Sequence, residues 1–171
     1  EGTEVPPFMA IAASGKPKNA YKVGKIVAKE SRAVGIHWNF SPVVDVNNNP
    51  NNPIINVRSF SENPSTVSLY ATQYILGLQD NGLLATAKHF PGHGDTETDS
   101  HSSLAMIPSD SSRLWEIEIP PFIDMIEKGI DAIMVAHVHS PDYQPDSYTP
   151  ASMSKFWVND ILKEKLEFRG A

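Results

Sequence analysis

Between Gly82 and the Pro91-Gly92 pair lies an apolar run, Leu83–Ala87. It is too short for a helix and is bounded by residues that break regular structure, so it reads as a buried parallel strand. Where it ends the composition changes abruptly. Lys88, His89, His93, Asp95, Glu97, Asp99 and His101 all fall within fourteen residues. Titratable groups gathered past the C-terminal end of a strand are the usual layout of an α/β active site. A parallel strand needs cover on both faces, so the flanking sequence has to supply helices.

The flanking sequence does so. A helical pattern spans about 17–34, with Pro17 in its first turn, Ala20, Val23, Val27 and Val34 on one face, and Gly35 as its stop. Ile36–Val46 reads as a strand and 47–57, rich in Asn and Pro, as a loop. A second helix is expected over about 64–81, with Val67, Tyr70, Ala71, Tyr74, Ile75 and Leu78 as its core stripe. A third helical region covers about 112–128, interrupted at Pro120-Pro121, and Ile130–Val138 is another apolar strand. A last helix spans about 154–166, and the short apolar segment 6–13 reads as strand or buried loop. Strand and helix thus alternate about three times, which implies parallel strands and right-handed crossovers. The expected fold class is α/β. Three or four such units make either a small open sheet or part of a (β/α)8 TIM-like barrel, with residues 1–171 as one partial domain.

Composition narrows the function classes. Fourteen Lys and Arg against twenty Asp and Glu give a net charge of −6, with no basic stripe to neutralise phosphates, so no nucleic-acid partner is expected. There is no cysteine, which excludes thiolate nucleophiles and Cys-ligated zinc. No apolar run approaches the ~20 residues of a membrane span. The first residues, Glu1-Gly2-Thr3-Glu4, have no signal-peptide character and no initiator Met, and read as an internal start. The compartment stays open between bacterial cytoplasm and export to the periplasm.

Each polar cluster follows a strand. In Asp99-Ser100-His101, a carboxylate beside an imidazole can fix its tautomer and leave the other ring nitrogen for proton transfer. Lys88 at a strand end needs a polar partner or a ligand, since burying an unpaired ammonium is costly. Lys88 and His89 point to opposite faces if the strand stays regular. Arg58, after the Asn/Pro loop, can clamp a hydroxyl pair or a carboxylate. His93, between Gly92 and Gly94, reads as a loop-shaping residue. His137 and His139 alternate, so one of them can face a site, and His137 is favoured. Asp45 reads as a strand-end carboxylate that orders the Asn/Pro loop. No metal is expected, because Pro91, Gly92 and Gly94 forbid the helix that would bring His89 and His93 onto one face.

Together these residues resemble a known family. KHFPGHGDTETDSH looks like the signature of family 3 glycoside hydrolases, in their β-N-acetylglucosaminidase (β-hexosaminidase) subgroup. GIHWNFSPVVDVNNNPNNPIINVRSFSENP upstream, and AIMVAHVHSP and PASMSKFWVNDILKEKLEFRG downstream, resemble the same family, so that the likeness covers about residues 17–170. It implies a (β/α)8-type barrel, no cofactor, and retaining hydrolysis of terminal β-linked N-acetylglucosamine in peptidoglycan- or chitin-derived saccharides. Arg58, Lys88 and His89 are similar to residues that hold sugar hydroxyls, and His137 is grouped with them here. Asp99 and His101 look like the subgroup's dyad, in which the histidine replaces the usual carboxylic acid. In the family the nucleophilic aspartate follows a segment like Glu167-Phe168-Arg169-Gly170, on the next strand, so this chain is expected to lack it and to be inactive alone. A truncated barrel would leave apolar edges open to self-association. The competing readings are a non-catalytic sugar-binding domain, a phosphorylase, and a β-glucosidase of the same family.

Overall fold

Asn63 and Pro64 start the most regular helix of the chain. Asn63 Oδ1 accepts from the Thr66 N–H at 3.0 Å, and Pro64 occupies the first turn, where its missing N–H costs nothing. The computed structural model of the chain describes residues 2–97, 104–107, 111–144 and 148–171. Its helices are α1 (Phe8–Ala13), α2 (Lys18–Ala33), α3 (Pro64–Gln79), α4 (Ser111–Arg113) and α5 (Pro120–Glu127). Its strands are β1 (Thr86–Phe90), β2 (Ala105–Met106), β3 (Ala132–Val135) and β4 (Val138–His139). A π-helical segment, Leu114–Glu118, continues α4, and another, Phe156–Lys165, lies near the C-terminus.

All six residues of the expected α3 stripe are buried. The stripe read for α2 holds in part: Ala20 is buried, and Val23 and Val27 pack partly buried against the core. The buried residues are Ala20, Gly24 and Ala28, and Val34 is 75% exposed. The two helices meet backbone to backbone there: a Cβ added to Gly24 would lie 2.4 Å from the Tyr74 carbonyl oxygen, and one on Gly77 2.3 Å from that of Tyr21. Small residues therefore form the line of closest approach, with Val23 and Val27 packed beside it. Segment 6–13 is also corrected, to a helix at Phe8–Ala13. An apolar run of that length carries no decisive period. Phe8 stacks on Phe60 at 4.5 Å and meets Tyr74 edge-on at 4.9 Å, which fixes α1 over the core.

The pairings are parallel, and segment 36–46, β1, β3 and the C-terminal Ala171 lie side by side in chain order, with β2 and β4 forming a separate pair. The extended segment 36–46 runs beside β1, bridging Trp38 to Leu84 and Val43 to Lys88. Pro42 has no N–H to give, and regular pairing is limited to those bridges. β1 pairs with β3, Thr86 opposite Ala132 and Lys88 opposite Met134. On the far side of β3, Ala171 N–H donates to Asp131 O at 3.1 Å and Ile133 N–H to Ala171 O at 2.9 Å. β2 pairs with β4. The expected strand after Gly82 begins later and includes Lys88 and His89, whose peptide is cis.

Ala85 and Ala87 of the β1 segment are fully buried against the helices. On the opposite face Trp38, Phe40 and Leu84 are 43%, 56% and 45% exposed. Trp38 and Phe40 pack edge to face at 5.5 Å, and Trp38 Nε1 donates to Thr86 Oγ1 at 2.8 Å. No helix among the described residues is long and apolar enough to cross a membrane.

Candidate active site

Asp45 is fully buried at the end of the extended segment. Its carboxylate accepts from three N–H donors of one turn. His89 Nδ1 donates at 2.7 Å, the His89 N–H is 3.2 Å from both oxygens, and the His93 N–H donates at 2.7 Å. Burial alone would raise the Asp45 pKa, but the His89 charge and hydrogen bond, with the His93 N–H, hold it below the ordinary carboxylate value. With Nδ1–H given to Asp45, His89 keeps Nε2 for a ligand.

The rest of the turn is held by the Asn/Pro loop. Asn52 Nδ2 donates to the carbonyls of His93 at 2.8 Å and Gly94 at 3.0 Å, while its Oδ1 accepts from the Ile54 and Ile55 N–H groups. Asn49 Nδ2 donates to Asp95 O. His93 is buried, with Nδ1 2.5 Å from Thr96 Oγ1, which supports its reading as a loop-shaping residue. Gly94 is pressed on the neighbouring chain, where a Cβ would lie 1.8 Å from Val46 O.

Arg58, Lys88, His89 and His137 line one cleft of about 310 Å³, together with Ile54, His93 and Met134. Four of the six residues selected from sequence thus converge, although Arg58 and His137 are far apart in the chain. Asp99 and His101 lie outside the described residues. Lys88 and His89 share this cleft rather than facing opposite ways, because the pairing register shifts between Lys88 and Phe90. Lys88 is half-buried. Burial first, and then the Arg58 charge, lower its pKa, and Asp45 partly offsets them. Arg58 is exposed, with Nη1 donating to Ile54 O at 3.2 Å. His137 faces the cleft, with Nδ1 3.0 Å from Ser152 Oγ, whereas His139 is buried against Tyr148. Two cations and two imidazoles gathered in one cleft can bind a polyhydroxylated ligand by multiple hydrogen bonds.

Sequence reasoning missed Asp45 as the organiser of the site. Its side chain orders the His89–His93 turn, and only its backbone carbonyl, accepting from Ser59 Oγ at 2.6 Å, serves the Asn/Pro loop end. The signal available was positional: Asp45 follows Val44, whose N–H donates to Lys88 O, so it stands level with His89.

A family model described as the glycosyl hydrolase family 3 N-terminal domain matches residues 1–171. The chain belongs to this family. Its fold is part of the family's TIM-like α/β barrel. Among relatives, β-hexosaminidase A of Pseudoalteromonas piscicida is 39% identical over 161 residues, covering 88% of this chain and 27% of that protein. The family 3 β-N-acetylglucosaminidase of Paenibacillus sp. str. FPU-7 superposes with a TM-score of 0.96 at 42% identity, covering 99% of this chain and 32% of that one. NagZ of Neisseria gonorrhoeae, solved with N-trifluoroacetyl-D-glucosamine, superposes with a TM-score of 0.90 at 32% identity, covering 99% of this chain and 51% of that one. The family 3 segment described here therefore spans about half or less of these relatives.

Proposed function

We propose that this chain is the sugar-binding and acid/base portion of a retaining exo-β-N-acetylglucosaminidase that removes terminal non-reducing N-acetylglucosamine from peptidoglycan- or chitin-derived saccharides. The observation that carries this reading is the convergence of Arg58, Lys88, His89 and His137 in one cleft. The relatives named as β-hexosaminidases and β-N-acetylglucosaminidases support it. Arg58, Lys88 and His89 hold sugar hydroxyls, and His137 contributes a further contact. His101 protonates the leaving oxygen and then deprotonates water, with Asp99 orienting its ring. Retaining hydrolysis also needs a nucleophilic carboxylate, which residues outside 1–171 supply. The open face at Trp38, Phe40 and Leu84 is assigned to contacts with the rest of the barrel. The test is hydrolysis of p-nitrophenyl β-N-acetylglucosaminide by the protein carrying this chain and by its His101→Ala variant. Turnover is expected to fall by about 100-fold or more, the usual worth of a general acid/base. Unchanged turnover would overturn the assignment.

A further inference from the structure

Glu118 ends the Leu114–Glu118 segment and is 1% exposed. Its side chain lies directly behind the turn that carries His89 and His93. A Cβ on Gly92 would meet Glu118 Cβ at 2.7 Å, Oε2 at 3.1 Å and Cγ at 3.2 Å. Glu118 Oε1 accepts from Asn48 Nδ2 at 2.9 Å. Oε2 is buried without a hydrogen-bond partner, and so is Asn48 Oδ1.

We propose that Glu118 is a positioning residue of the cleft, backing the 90–94 turn through Gly92 and Asn48 and so fixing where His89 stands. The charged groups around it are Asp45 from the extended segment, Asp95 from the loop after the turn, and Arg113 from α4, whose Nη1 bonds Asp95. An ionised Glu118 would bring a further negative charge to this cluster with one donor for its two oxygens. The neutral acid avoids that charge and adds an O–H where the unpartnered atoms are acceptors. Burial first, and then Asp45 and Asp95, push its pKa up to about 7, against the Asn48 bond and Arg113. The backing of the turn should therefore weaken as pH rises through neutrality.

The activity readout rests on the glycosidase reading above, but a melting readout does not. In the protein carrying this chain, KM and kcat for p-nitrophenyl β-N-acetylglucosaminide, and thermal midpoints, would be measured from pH 5.5 to 8.5 for wild type, Glu118→Gln and Glu118→Ala. Wild-type KM should rise above pH 7, while Glu118→Gln matches wild type at pH 6 and lacks that rise. Glu118→Ala should raise KM about tenfold at every pH with kcat changed no more than about threefold, as lost positioning of binding groups would do. The wild-type midpoint should fall relative to that of Glu118→Gln as pH increases. The proposal is overturned by an unchanged KM in Glu118→Ala, by Glu118→Gln behaving as Glu118→Ala at pH 6, or by wild-type and Glu118→Gln midpoints that run parallel with pH. If Glu118→Ala does not fold, the Glu118→Gln comparison decides. A wild type inert on the glycoside sinks the glycosidase reading, and the midpoints alone then decide for Glu118.

Discussion

Asp45 and Glu118 are both buried carboxyls behind the same turn, yet their surroundings drive them in opposite directions. Asp45 accepts from three N–H donors, one of them an imidazole, and its pKa is lowered. Glu118 accepts one, faces other carboxylates, and its pKa is raised to about 7. Burial penalises both charges, so the neighbouring charges and donors decide the direction: the His89 charge and its hydrogen bond favour ionised Asp45, while Asp45 and Asp95 oppose ionised Glu118. The pair shows that a buried carboxyl says little until its partners are known. Asp45 orders the turn as a carboxylate, whereas Glu118 is neutral only below about pH 7.

The largest expected break in this comparison is Asp45→Ala. It strips His89 Nδ1 and the His89 and His93 N–H groups of their acceptor in a buried setting. Chemical denaturation should show a loss of about 3–5 kcal/mol, the usual cost of leaving a buried polar cluster unpaired. A loss under about 1 kcal/mol would mean that water replaces the carboxylate. Gly94→Ala should come next, at about 3 kcal/mol in the same measurement, because the added methyl meets the rigid Val46 carbonyl.

The pH response sharpens the contrast. Asp45 contributes stability that is present above the ordinary carboxylate value of 3.8 and is lost as pH falls through its lower folded value. Glu118 does the reverse. Its contribution is full below the unfolded value of 4.5 and is lost as pH rises toward about 7. The wild-type deficit relative to Glu118→Gln should reach about 3 kcal/mol at most. The smallest effect belongs to His137→Ala. That exposed residue should change stability by no more than about 0.5 kcal/mol. It should weaken N-acetylglucosamine binding about fivefold by calorimetry, the worth of one hydrogen bond. Equal affinity would remove His137 from the binding set.

Parts of this molecule were legible because their physics is local. The α3 stripe follows from period 3.6 and its start from Asn63-Pro64, and neither needs another segment. The parallel α/β class follows from alternation of short apolar runs with amphipathic ones. The clustering of titratable groups after Gly82 marked the site, and the signature KHFPGHGDTETDSH marked the family. Where the local signal was weak, reading failed: segment 6–13 is helical because Phe60 and Tyr74 receive Phe8. On α2 the reading failed only at Val34, and it missed Gly24, which matters only once Gly77 lies opposite it.

The sequence by itself determined the class of fold and nominated the residues that could carry chemistry, because side-chain type and hydrophobic period are properties of short segments. Only the tertiary structure decided that Arg58, Lys88, His89 and His137 share one cleft, that Lys88 and His89 lie on its same side, and that Asp45 holds the turn together with Asn52. Those facts depend on strand register and on a shift between Lys88 and Phe90. Register is set by packing between segments some 44 residues apart, and no single stretch of chain contains it.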